Sequence, residues 1–137
     1  MKNNNLEQQI RELYKNWFET FKAFKDIEFI ETSYATIPKG WQIKKLKDIC
    51  DKISDSYKPT SKKVVLLQSA DVYKGNFINN EYVDNIDVKG HFKYKFQKND
   101  ILYSQVRPKN EHYAFVDFEP LNYIASTQLM VLRAKKI

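Results

Sequence analysis

The strongest constraint on this chain is a change of rhythm at Pro38-Lys39-Gly40. Before it, Leu6, Ile10, Leu13, Trp17, Phe21 and Phe24 recur at spacings of 4, 3, 4, 4 and 3, an apolar stripe of helical period. No glycine or proline interrupts Leu6 to Phe24. The pattern predicts one amphipathic helix, about 30 Å long at ~1.5 Å per residue, with Asn5 as its N-cap and Glu7 favoured by the helix dipole. After it, short runs rich in β-branched and aromatic residues alternate with polar turns. Pro38 biases Ile37 toward extended backbone, and Pro38 with Gly40 stops what precedes them.

The expected fold class is therefore α+β: an N-terminal amphipathic helix followed by a small, curved, mostly-β domain. Residues 1–26 form the helical part, residues 27–36 a connection, and residues 37–137 the β domain. Trp41 reads as buried, and residues 45–53 as one short helix. Strands are expected at Val64–Leu67, Asp100–Val106, His112–Val116 and Gln128–Leu132. A hairpin is expected from Asn76–Ile78 to Glu81–Val83 around the turn-like pair Asn79-Asn80.

The 137 residues, 42% of them hydrophobic, suffice for a core. The single Cys50 excludes an intramolecular disulfide and a thiolate metal cluster, and reads as a small core residue between Ile49 and Ile53. The apolar runs are too short for a membrane-spanning helix and the N-terminus lacks a signal-peptide core, so a cytoplasmic protein is expected.

The net charge of +6 is unevenly placed. Residues 1–36 carry 5 Lys+Arg against 6 Asp+Glu, and residues 37–137 carry 18 against 11. A basic β domain matches phosphates electrostatically. A merely lysine-rich surface gives the same count, so charge leaves both readings open.

Catalytic signatures are missing. All four prolines are isolated, so no Asn/Asp-Pro-Pro-aromatic loop exists to hold a flipped adenine, and no Gly-rich loop offers to cradle a nucleotide cofactor. No Glu-x-Lys occurs, and Asp87-Val88-Lys89 falls in a loop-like stretch without a second acid for a metal. His91 and His112 lack metal-ligand spacing. The expectation is no enzyme, no cofactor and no metal.

Three polar segments carry the residue types that contact DNA, with cations for phosphates and amides, hydroxyls and arginine for base edges. One holds Lys62 and Lys63 after Tyr57-Lys58-Pro59-Thr60-Ser61. The second, after a strand, holds Gln68, Ser69, Tyr73 and Lys74; its Asp71 serves equally well as a turn cap. The third holds Tyr103, Ser104, Gln105, Arg107 and Lys109, and Pro108 stiffens the loop presenting Arg107. Each reads alternatively as a solvated loop. The stripe of Leu6, Ile10, Leu13, Trp17, Phe21 and Phe24 reads either as core against its own domain or as a face for a partner helix.

Four stretches in order, Ile37-Pro38-Lys39-Gly40-Trp41, Lys45-Leu46-Lys47-Asp48-Ile49, residues 66–78 from Leu66 to Ile78, and Lys98-Asn99-Asp100-Ile101-Leu102-Tyr103-Ser104-Gln105-Val106-Arg107, resemble the target recognition domain of the specificity (S) subunit of type I restriction-modification enzymes. The resemblance implies a non-catalytic reader of double-stranded DNA. Its partners would be a methyltransferase (modification) subunit and a restriction subunit. Tyr14-Lys15-Asn16-Trp17-Phe18-Glu19-Thr20-Phe21 resembles the aromatic end of the conserved S-subunit helix. That implies antiparallel pairing in a coiled coil with another S-subunit half, or with a second copy, as a platform for the methyltransferase. A full S subunit has two recognition domains and two such helices, so the expectation is a truncated S subunit whose recognition domain is incomplete at its C-terminal side. The alternative is an interaction protein that docks through its helix and reads no DNA.

Overall fold

The computed structural model describes residues 2–136, which form two compact units divided between Lys44 and Lys45. The Ile37–Trp41 turn thus belongs with the helix.

In the first unit, helix α1 spans Lys2–Tyr14 and runs into a π-helical turn at Lys15–Glu19. Asn5 lies inside the helix, where its Oδ1 accepts a hydrogen bond from Gln9 Nε2 at 3.3 Å, so it is not the expected cap. The helix expected to reach Phe24 stops early. Thr20 donates its N–H to the Lys15 carbonyl at 2.8 Å, and Phe21 turns left-handed at φ 54°. Aromatic packing accounts for the reversal. Trp41 has Phe21, Phe24 and Phe18 at centroid distances of 5.4, 5.8 and 6.1 Å, and Trp17 meets Phe24 edge-on at 5.3 Å. Such pairs add about 0.5–1.5 kcal/mol each beyond area burial, enough to outweigh one more helical turn. Trp41 is 37% exposed and so less buried than its sequence context predicts.

The stretch expected as a plain connection forms a hairpin. Strand β1 (Phe29–Glu31) pairs antiparallel with β2 (Thr36–Pro38). The Thr32 Oγ1 accepts the N–H groups of Tyr34 and Ala35 and closes the turn. Gly40, at φ 93°, occupies the turn position that needs positive φ, and the Trp41 N–H reaches the Pro38 carbonyl at 3.0 Å.

The second unit opens with α2 (Leu46–Ile49), a single turn capped by the Asp48 carboxylate on the Lys45 N–H at 3.2 Å. The chain then becomes strand β3 (Cys50–Ile53), so the helix expected through Ile53 ends at Ile49. There follow β4 (Lys63–Leu67), β5 (Val72–Tyr73), β6 (Asn76–Phe77), β7 (Val83–Asp84), β8 (Phe92–Tyr94), β9 (Ile101–Ser104), β10 (Tyr113–Phe115), β11 (Tyr123–Ser126) and β12 (Leu129–Ala134). The hairpin expected around Asn79-Asn80 does not form. The turn is Lys74-Gly75 instead, with φ 45° and 89°, joining β5 to β6. Positive φ at both positions matches the right-handed strand twist. Asn79 donates its side-chain amide to the Leu66 carbonyl, and Val83 crosses to pair with Val64.

One four-stranded sheet is antiparallel throughout, in the order β10-β9-β12-β3. The other runs β7-β4-β11-β8, with β4 and β11 parallel. Both contribute to one core, including Val65, Leu67, Leu102, Ala125, Leu129 and Val131, all with no exposed surface. Burying the valine and leucine side chains among them contributes about 1.5–3 kcal/mol each. At the head of β9, buried Asp100 accepts two bonds from Arg133, Nε to Oδ1 and Nη2 to Oδ2, each 2.8 Å. The same carboxylate caps the Gln97 N–H at 2.8 Å. The hydrogen bond to Asp100 raises the Arg133 pKa, so this guanidinium stays charged and fixed.

Candidate nucleic-acid interface

Segments following β4 and β9, preceding β10 and joining β11 to β12 meet at one depression of about 360 Å³. Gln68, Ser69 and Ala70 follow β4 and line one side; Val106, Arg107 and Asn110 line the other; His112 and Gln128 complete it. The segment after β4 is a tight 3₁₀ turn, Ser69–Asp71, in which the Asp71 carboxylate accepts the Gln68 N–H at 2.6 Å. Asp71 is therefore the turn cap that its position offered, and Gln68 projects from a fixed backbone.

The opposite wall is a loop with a pinned base. Ser104 donates its N–H to the His112 carbonyl at 2.9 Å. The Ser104 Oγ lies 2.9 Å from the Val106 carbonyl and 3.1 Å from the Ser69 Oγ, which ties the two walls together. Arg107 (φ 50°) and Glu111 (φ 54°) are both left-handed and bracket the 3₁₀ turn Pro108–Asn110. For residues other than glycine that conformation costs roughly 1 kcal/mol or more. It reverses the chain sharply enough to hold Arg107 exposed at the rim. With Arg133 engaged by Asp100, Arg107 is the one guanidinium of this unit outside an ion pair among the described residues.

The sequence-predicted contact residues divide by place. Gln68, Ser69 and Arg107 line the depression, and Lys109 is exposed on the same loop. Ser69 and Ser104 are buried at 8% and 3% exposure, so they hold the walls and present little surface. Gln105 lies beside the depression, with its side-chain amide on the Thr127 carbonyl at 3.2 Å and its N–H on the Gln128 carbonyl at 2.9 Å. Tyr103 lies on the outer face of its sheet opposite Tyr113. Tyr73 and Lys74 sit at the β5–β6 turn, where Lys74 pairs with Glu111 at 3.2 Å. Hydrogen bonding to Glu111 and Tyr73 raises the Lys74 pKa, so the lysine is cationic with its charge already partnered. Lys63 begins β4, about 13 Å from Leu67 at ~3.3 Å per residue, with Lys62 just before it, and Lys63 pairs with Asp84 at 2.6 Å. The sequence reasoning did not single out Asn110, His112 or Gln128. Asn110 and His112 were within reach as neighbours of the Arg107 loop; Gln128 arrives from a distant strand end with no local signal.

In the first unit, Leu6, Ile10, Leu13 and Trp17 are exposed at 58, 58, 60 and 45%, forming an open apolar face. Ile10, Leu13, Tyr14, Trp17 and Phe18 line a depression of about 320 Å³ on it. Phe21 and Phe24, predicted for the same face, turn instead into the cluster around Trp41. Among the described residues no group of three His, Cys, Asp or Glu is placed to hold a metal ion. No helix among them is long and apolar enough to cross a membrane.

A concave site at strand ends in one unit and an open apolar stripe on the helix of the other are features of a binding module, and comparison with known proteins gives the family. The profile described as "Type I restriction modification DNA specificity domain" matches residues 38–137. The chain is 37% identical to the type I restriction enzyme HindI specificity subunit of Haemophilus influenzae, over 67% of this chain and 20% of that protein. It is 28% identical to the MjaIX specificity subunit of Methanocaldococcus jannaschii, over 95% of this chain and 32% of that protein. Among solved structures, the HsdS subunit from Thermoanaerobacter tengcongensis superposes with a TM-score of 0.63 at 18% identity, over 77% of this chain and 28% of that one. A chain from a study of complex assembly and conformational transition in a type I R-M system gives 0.59 at 20% identity, over 72% of this chain and 26% of that one. This chain belongs to the type I restriction-modification DNA specificity family. It spans about a fifth to a third of the curated relatives it matches.

Proposed function

We propose that residues 37–137 read double-stranded DNA sequence for a type I restriction-modification system, with no catalysis of their own. They direct a methyltransferase subunit, and through it a restriction subunit, in the cytoplasm. The observation that carries this reading is the convergence of Gln68, Gln128 and Arg107 on one concave site, with Arg107 outside any ion pair among the described residues. A carboxamide offers a donor and an acceptor together, and a guanidinium fork matches guanine O6 and N7. Lys62 and Lys109, exposed and outside any ion pair among the described residues, supply phosphate contacts.

The test is binding of the full chain to DNA, alone and with its methyltransferase subunit. Affinity should fall steeply between roughly 50 and 200 mM salt, as released counterions require. Arg107→Lys keeps the charge and loses the fork, so it should cost about 1–3 kcal/mol on the preferred site and little on random DNA. Equal loss on both would make Arg107 a phosphate clamp, and no loss would remove it from the interface.

The exposed face of α1 favours a second role. Its stripe of Leu6, Ile10 and Leu13, continued by Trp17 in the π-helical turn, docks a helix of the methyltransferase, of another S-subunit half or of a second copy. If the chain binds such a partner and no DNA, docking is its whole function.

A further inference from the structure

A second depression, of about 510 Å³, lies away from the Gln68–Arg107 site on the β8 side of the same unit. Its floor is apolar: Val88, Phe92 and the buried Ile124. Its rim carries Lys58, Lys89 and Lys93, all exposed. No acidic side chain lines it, and none of the three lysines is in an ion pair among the described residues.

The walls are preformed. The Asn85 side-chain amide donates to the Pro59 and Ser61 carbonyls, each at 2.9 Å, and fixes one rim. The Tyr57 N–H donates to the Lys93 carbonyl at 2.8 Å and holds the other side. Tyr57 lines the cavity; its hydroxyl lies 3.4 Å from the Asn122 Oδ1, and the Lys95 ammonium stands 5.2 Å from its ring centroid. The volume lies within the ~300–1,000 Å³ of small-ligand pockets.

A simple anion would use the rim and leave the floor wet. An apolar ligand would use the floor and leave three unpaired cations at its edge. We propose that this cavity binds a nucleotide unit, with its phosphate on Lys58, Lys89 and Lys93 and its base against Val88, Phe92, Ile124 and the Tyr57 ring. The unit comes either free or as part of an unpaired nucleic-acid strand, since both present the same chemistry. The site is independent of sequence reading at Arg107.

The experiment is titration of the isotope-labelled full chain with adenosine monophosphate, inorganic phosphate and adenosine, read at the backbone amides of Gly90 and Lys93. The nucleotide should shift these amides saturably, with phosphate and adenosine each about tenfold weaker or more, as loss of a charged hydrogen bond or of an apolar contact predicts. Lys89→Ala with Lys93→Ala should weaken nucleotide binding about tenfold or more and leave the melting temperature unchanged. Gly90→Leu is a second variant: a Cβ there meets nothing within 4 Å, so the fold accommodates it, and the added bulk at this lining position should weaken monophosphate binding. An unpaired oligonucleotide that displaces the monophosphate identifies a strand as the source; failure to displace it identifies free nucleotide. No amide shift at millimolar monophosphate, phosphate binding as tightly as monophosphate, or unchanged binding by the lysine variant each overturns the proposal. Arg107→Lys should not alter these titrations, and the lysine variant should keep its sequence discrimination, so this reading and DNA reading fail separately.

Discussion

The two units solve the burial problem in opposite ways. In residues 45–137, Leu67, Leu102, Leu129 and Val131 are wholly withdrawn from water, and even the charged Asp100 is enclosed with its partner held at 2.8 Å. In residues 1–44, most apolar mass stays wet: Leu6, Ile10 and Leu13 are each more than half exposed, and Trp41 collects phenylalanines without disappearing beneath them. A 13-residue helix is marginal in water on propensity alone. The contrast teaches that the second unit encloses its own core, whereas the first leaves its helical stripe exposed and gathers its aromatic contacts around Trp41.

The largest effect expected from that contrast is at Asp100. Asp100→Ala strands the Arg133 guanidinium and frees the Gln97 N–H, and should cost about 3–5 kcal/mol, measured by denaturant unfolding. A loss below ~1 kcal/mol, the worth of an exposed pair, would mean the enclosure is looser than described. Leu102→Ala should follow at about 2–5 kcal/mol, seen as a lowered denaturation midpoint with unchanged slope. Trp41→Ala removes the hub of the first unit. It should abolish protection of the α1 amides from hydrogen exchange while the β9 and β12 amides keep theirs; loss in both would join the units into one cooperative fold. Smallest in stability is Leu13→Gln, within about 0.5 kcal/mol as for other exposed sites, yet it should abolish association through α1 in a sedimentation assay. If Leu13→Gln unfolds the chain, the stripe is internal core.

How much of this was legible beforehand follows from where each signal resides. The helical stripe and the strands at Val64–Leu67, Asp100–Val106, His112–Val116 and Gln128–Leu132 carried local patterns, and structure is found within each. Strand β11 went unseen because Tyr123-Ile124-Ala125-Ser126 is buried on both faces between β4 and β8 and shows no alternation. Strand β8, Phe92-Lys93-Tyr94, was masked by surrounding lysines. The β5–β6 turn was missed because Asn79-Asn80 carries a stronger turn signal than Lys74-Gly75. The helix end depended on Trp41, distant in sequence from Phe21 and Phe24, and local period cannot announce such packing. At the candidate site, Gln68 and Arg107 were readable as polar residues beyond strands. Their meeting with Gln128 was not, because it depends on sheet order.

The stem of the Arg107 loop has a consequence for how this surface can change. Ser104 and His112 close the loop by a backbone bond, and exposed residues 105–111 lie outside the core cluster. Substitutions there alter what faces outward while the packed interior registers almost nothing. Loop strain at Arg107 and Glu111 even leaves room for glycine or asparagine to repay some stability. The loop is thus an exchangeable cassette on a conservative frame: a lineage can sample new contacts by single substitutions without first rebuilding the fold that displays them.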